Sequence, residues 1–244
     1  MLNKEYVLEK IKEYSTIEET LCRETFEDLV VSPLEDAKCF EDWTWDSGVT
    51  KGVLIFDELD YVIKIPFYCE WDEGDYDYDE ETNETIIIRE SGPFDTPFEG
   101  VQVEGFIHDN DWDYCETEQY RYIVAERNGL NEHFAKTWFL GTVQDWPVYA
   151  QAKANMFLSS ASQSTRSKRK YSQQEMDTAK SIKDTLGSEI DEEWMIDFIN
   201  YWGKDRLVEL LNFCNEWDID DLHLGNIGYV YGVPCIIDYS SYRD

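Results

Sequence analysis

The chain predicts an α+β fold in which a strand-rich first part gives way to a mainly helical second part. Short apolar runs bounded by turn residues cluster between residues 43 and 66 and again between 134 and 152. Helical periodicity with caps and stops then runs from about 172 to 217. The composition, 42% hydrophobic and 15% aromatic over 244 residues, is that of a folded chain forming one large domain or two small ones.

Each element follows from its local pattern. Residues 3 to 14 group Val7, Leu8, Ile11 and Tyr14 on one face of an amphipathic helix. Trp43 to Phe56 reads as strand, glycine turn and strand. Glu58-Leu59-Asp60 then makes a tight turn into the strand Tyr61 to Pro66. The stretch Glu70 to Glu118 carries 18 acids against one base, Arg89. Its densest part, Glu70 to Glu81, has no helical period and is expected to be a solvated loop. Asp75, Asp77 and Asp79 imitate the start of a calcium loop, but Glu80 replaces the turn glycine and Ile86 the bidentate glutamate. Thr85 to Arg89 and Val101 to Phe106 suggest an added hairpin. Asp113 to Glu126 reads as a helix with Asp113 as N-cap and Gly129 as stop, and it sets Glu118 on one face with Cys115, Tyr122 and Ala125. Phe134 to Leu140 and Trp146 to Ala152 read as two strands. A polar loop follows, holding Arg166-Ser167-Lys168-Arg169-Lys170. Beyond it come a weakly patterned helix from Ser172 to Leu186 and two stronger ones, Asp191 to Trp202 and Lys204 to Trp217.

The chemistry concentrates in the last quarter. Asp221-Leu222-His223-Leu224-Gly225-Asn226 is followed twelve residues later by Asp238, at the end of an apolar run. An acid, an amide five residues on and a second acid suit phosphoryl transfer: the first accepts a proton from an attacking hydroxyl, and the other two offer oxygens to Mg²⁺ on nucleotide phosphates. Ile227 to Ile237 reads as two short strands turning at Tyr231-Gly232-Val233-Pro234, which folds Asp238 back beside Asn226.

This segment resembles the catalytic loop and metal-binding strand of the protein-kinase-like superfamily. It is nearest to the aminoglycoside- and choline-type small-molecule phosphotransferases, with their D-x-H-x-x-N loop. The resemblance implies a two-lobed kinase-like fold, with residues 1 to about 150 as N-lobe and a reduced helical C-lobe from 151 to 244. It implies ATP and Mg²⁺ as cofactors, Asp221 as catalytic base, and Asn226 and Asp238 as metal ligands. Val62-Ile63-Lys64 is similar to the family's V-A-I-K strand, whose lysine contacts phosphates and a helix glutamate. Glu118 is the first choice for that partner and Glu116 the second. Gly48 and Gly52 stand in for the glycine-rich phosphate cover, although the full G-x-G-x-x-G is absent. Departures accompany the likeness: Ser240 stands where D-F-G has glycine, Ile219-Asp220 replaces H-R, and only Ser240 to Asp244 follow Asp238-Tyr239. The expectation is therefore an acceptor pocket drawn from residues 158–203, the acidic insertion or a second subunit.

A net charge of −32 disfavours direct binding to nucleic acid and leaves a second function class open, an acidic DNA mimic or inhibitor directed at a basic protein partner. A third is a nucleotide-binding pseudokinase. The six cysteines never form C-x-x-C and read as buried thiols in a reducing cytoplasm. His108 and His133 read as surface or capping residues. No apolar run has the length to span a bilayer, and the N-terminus carries no signal-peptide core, so the expected location is cytoplasmic.

Overall fold

The computed structural model describes residues 2–17, 21–48, 50–67, 76–79, 84–87, 114–157, 171–188, 190–217 and 219–240. It is an α+β structure built on a five-stranded antiparallel sheet. The strands are β1 (Trp43–Ser47), β2 (Lys51–Phe56), β3 (Tyr61–Pro66), β6 (Thr137–Val143) and β7 (Trp146–Ala152), in the order β1-β2-β3-β7-β6. Tight turns join β1 to β2, β2 to β3 and β6 to β7, and short reversals of this kind favour antiparallel neighbours.

One face of this sheet packs on α1 (Lys4–Tyr14) and on a helical segment the sequence pattern did not announce. That segment runs through α2 (Arg23–Phe26), a π-turn (Glu27–Val31) and α3 (Ser32–Asp36). Asn3 caps α1 by accepting from the Tyr6 amide, and Val7 and Ile11 are buried, whereas Tyr14 stays 39% exposed. Phe26, Val30, Val31 and Leu34 join Leu54, Phe56, Ile63, Ile65 and Val148 in one apolar core. Gly52 belongs to this packing: a Cβ there would overlap the Phe26 ring. That contact accounts for the glycine at 52 without reference to phosphate.

A second core lies under α5 (Gln173–Leu186), α6 (Glu192–Trp202) and α7 (Lys204–Glu216). Their ends obey local rules. Ser172 and Glu175 form a capping box, Gly187 ends α5 in the left-handed region, and Asp191 accepts from the amides of Glu193 and Trp194. Trp194, Phe198, Leu207, Leu210 and Leu211 pack there with Ile227 and Ile236 of a small sheet. That sheet comprises β8 (Asn155–Met156), β9 (Ile227–Val230) and β10 (Val233–Ile236), in the order β10-β9-β8.

α4 (Tyr114–Arg127) lies between the two cores, and eight of its residues are buried, including the polar Glu116, Thr117, Glu118, Gln119 and Arg121. A helix buried on its polar positions needs partners across the divide. Arg121 Nη1 donates to Tyr239 O at 2.6 Å, and Tyr239 OH donates to Ala135 O at 2.8 Å. The Ala135 amide donates to Ile236 O at 2.8 Å, and Gln151 Nε2 to Ile237 O at 2.6 Å. These bonds tie α4, β6 and β7 to the segment carrying Asp238.

Three expectations are corrected. Tyr76–Asp79 is not a loop but a strand (β4), since Tyr-Asp-Tyr-Asp alternates with the strand period of two. Its partner is β5 (Glu84–Ile87), so the Thr85 strand pairs backwards to β4; Val101 to Phe106 lies outside the described residues, as do Asp113, His108 and the 166–170 basic run. His133 is fully buried rather than at the surface, with its ring edge-on to Phe198 and Trp202 at 5.0 and 4.8 Å. Cys115, Cys214 and Cys235 are buried, while Cys22 and Cys39 are only half-buried. Burial pushes the Cys235 thiol up to about 12. Among the described residues, no helix is long and apolar enough to cross a membrane.

Candidate active site

The β2–β3 hairpin fixes the first part of the site. In its register Val53 lies opposite Lys64 and Lys51 opposite Pro66. Residues two apart on a strand share a face, and directly opposed residues share one too, so Lys51 and Lys64 project to the same side of the sheet. They meet Glu118 there. Lys64 Nζ donates to both Glu118 oxygens at 2.9 and 2.8 Å, and Lys51 Nζ donates to Oε1 at 2.7 Å. Thr137 Oγ1 adds a hydrogen bond to Oε2 at 2.9 Å, and is itself held by Gln151 Nε2 at 2.9 Å. Glu118 is completely buried, and the two lysine side chains are 5–6% exposed. A carboxylate so deep is tolerated because two ammonium groups and a hydroxyl replace its water.

Lys51 extends the cluster toward the C-terminal segment. Its ammonium lies 3.0 Å from each Asp238 oxygen and 3.1 Å from Ser240 Oγ. Ser240 Oγ in turn donates to Asp238 Oδ1 at 2.9 Å. Burial opposes the charged forms of both partners, but mutual attraction overcomes it. Beside Asp238 and Glu118 the Lys51 ammonium is held well above the usual lysine range, and beside Lys51 and Lys64 the Asp238 carboxyl is held well below the usual carboxylate range.

The remaining residues sit on the loop before β9. Asn226 Nδ2 donates to Asp221 O at 2.7 Å and to Asp221 Oδ2 at 3.0 Å, while Asn226 O accepts from the amides of Ile237 and Asp238 at 2.7 and 3.3 Å. The turn back through β9 and β10 makes this possible, as Ile227 pairs with Ile236. His223 Nδ1 accepts from the Gly225 amide at 2.9 Å, which leaves Nε2 toward Asp221 Oδ1 at 3.5 Å. A Cβ at 225 would press on the imidazole, so a larger residue there would shift His223 from this position.

Side-chain bonds therefore join Lys64, Glu118, Lys51 and Asp238, a main-chain bond joins Asp238 to Asn226, and a side-chain bond joins Asn226 to Asp221. Five of these six positions were singled out from sequence. Glu118 holds the lysine-facing place, and Lys51 is the residue that sequence reasoning missed. Gly48 lies in the β1–β2 turn, its amide donating to Lys51 O at 3.0 Å.

No family model matches the chain, and no curated protein or solved structure matches it either.

The residues present offer a divalent ion two oxygen-bearing side chains, Asp238 and Asn226. Asp238 keeps 29% of its side-chain surface open, and the Asn226 amide nitrogen donates to Asp221. Among the described residues no group of three or more histidine, cysteine or acidic side chains is poised for a metal. Two oxygen donors fit Mg²⁺, which takes one or two protein oxygens and completes its shell with phosphates and water.

Proposed function

We propose that this protein is an ATP- and Mg²⁺-dependent phosphotransferase with a two-lobed, protein-kinase-like fold and a reduced helical C-lobe. The supporting observation is the hydrogen-bonded series Lys64–Glu118–Lys51–Asp238–Asn226–Asp221, which draws together residues spread from 51 to 238. Such convergence is what phosphoryl transfer demands, since catalysis there is mostly positioning and neutralisation of charge.

In this reading Glu118 holds the Lys64 ammonium at the phosphate side of the sheet, and the Gly48 turn covers the phosphates. Asp238 and the Asn226 side-chain oxygen hold Mg²⁺, which when bound neutralises phosphate charge. Asp221, 40% exposed, accepts the proton of the attacking hydroxyl. Asn226 Nδ2, donating to Asp221 Oδ2 at 3.0 Å, orients that carboxylate, and His223 Nε2 lies 3.5 Å from Oδ1. The acceptor is an alcohol, and the D-x-H-x-x-N loop favours a small molecule.

The test is transfer of the γ-phosphate from labelled ATP, first with the protein alone and then with lysate and metabolite pools. Label moving to an acceptor in the wild type, and not in Asp221→Asn, supports the proposal. An absence of transfer in every pool, with no magnesium-dependent ATP binding, removes it.

A further inference from the structure

Lys51 has a place that the phosphotransferase reading does not require. Lys64 alone engages both oxygens of Glu118 and supplies its counterion. The Lys51 ammonium adds a bond to Glu118 Oε1 at 2.7 Å and is at the same time the counterion of Asp238, astride its two oxygens at 3.0 Å each. Both lysines and Glu118 are shielded from solvent, but Asp238 is 29% exposed, so the approach to this carboxylate is open. Lys51 is also anchored one residue beyond Thr50, at the end of the turn containing Gly48. Its side chain thus springs from the segment expected over the phosphates.

Building on the phosphotransferase reading, we infer that Lys51 is an exchangeable cation: it neutralises Asp238 in the empty site, yields that carboxylate to a divalent ion, and turns its ammonium to the nucleotide phosphates. The charges balance at both stages. Empty, the two lysines offset Glu118 and Asp238. Loaded, the divalent ion replaces Lys51 at Asp238, and the freed ammonium meets the excess negative charge of the phosphates. Lys51 is then a second phosphate-binding lysine besides Lys64, and it couples metal entry to nucleotide entry.

The experiment compares wild type, Lys51→Met and the double variant Lys51→Met/Asp238→Asn. Free Mn²⁺ is followed by electron paramagnetic resonance, without nucleotide and then with ATP. Removing a charged competitor at hydrogen-bond distance should tighten one Mn²⁺ site about tenfold in Lys51→Met, and the double variant should lose that gain. With ATP present, Lys51→Met should weaken nucleotide binding about tenfold. Unchanged or weaker Mn²⁺ binding in Lys51→Met, or a gain that survives in the double variant, overturns the inference. A wild type that takes up Mn²⁺ but no nucleotide defeats the phosphotransferase reading instead, and the Mn²⁺ comparison still judges the exchange. Should Lys51→Met not fold, the wild-type protein labelled with ¹⁵N-lysine carries the test. The Lys51 Nζ resonance, identified by its change in Asp238→Asn, should move as Mg²⁺ is added to saturation, and an unmoved resonance overturns the inference.

Discussion

The two halves of the candidate site are built on opposite principles. Lys51, Lys64 and Glu118 form a dry cluster across β2, β3 and α4 whose second positive charge is met by Asp238, whereas Asp221 and His223 lie on a loop with 40% and 59% of their side chains open. In the first half, the proposed function and stability rest on the same atoms. In the second, the candidate catalytic groups are held by a few loop hydrogen bonds and contribute little to the fold. Substitutions should therefore separate the halves, with large stability losses in one and losses confined to activity in the other.

The largest effect is expected at Glu118. Glu118→Ala leaves two ammonium groups facing each other without their shared carboxylate, and breaking a buried ion pair costs about 3–5 kcal/mol. Urea unfolding should show this loss, and nucleotide binding should fall with it. A loss under about 1 kcal/mol, typical of surface pairs, would erase the contrast between the halves.

His133 sharpens it from another side, as a buried titratable group whose ring nitrogens have no hydrogen-bond partner among the described residues. Burial pulls its value down from 6.5 to about 4. A depressed histidine is bound as the neutral ring, so its contribution is present above pH 6.5 and is lost as pH falls toward 4. The difference corresponds to about 3 kcal/mol. Stability measured from pH 7 to pH 4 should carry this slope, and His133→Phe should flatten it. Asp238 acts in a lower window: its depressed carboxyl stabilises the fold above about pH 4 and ceases to as pH falls further.

How much of this was legible in the chain varied with the kind of signal. The strands 43–47, 51–56 and 61–66, α4, α6, α7 and the β9–β10 hairpin were readable because apolar period and turn residues agree there. The segment Arg23–Asp36 was not, because its helix is broken by a π-turn that spoils a 3.6-residue period. Lys51 was hidden in a glycine turn, where a basic residue reads as solvated. The signal that could have found it is register: the tight turn at 58–60 sets Val53 opposite Lys64, and alternation carries Lys51 to the same face. Gln151 and Thr137 escaped for a related reason, since only their cross-strand pairing brings both to Glu118.

Gly52 gives the next effect in size. Gly52→Ala forces a methyl group against the buried Phe26 ring, an overpacking that costs about 1–3 kcal/mol. The same change combined with Phe26→Leu should recover part of that loss in thermal unfolding. A glycine needed chiefly by phosphate would instead show lost nucleotide affinity at full stability.

The smallest stability effect belongs to Asp221. Asp221→Asn preserves the shape of an exposed side chain and should change unfolding by about 0.5 kcal/mol or less. Transfer should fall about 10²–10⁴-fold, the usual share of a general base. Equal losses of stability and activity here would place Asp221 with the buried half.

The most direct test of the account is thermal unfolding of the wild type and Asp238→Ala with ATP alone, Mg²⁺ alone and both together. Ligand bound to the folded form at a hundredfold excess over Kd adds about 2.7 kcal/mol. The account predicts a rise in melting temperature for wild type that needs ATP and Mg²⁺ together, and no such joint rise for Asp238→Ala. An unchanged wild-type melting temperature across millimolar Mg-ATP would contradict it.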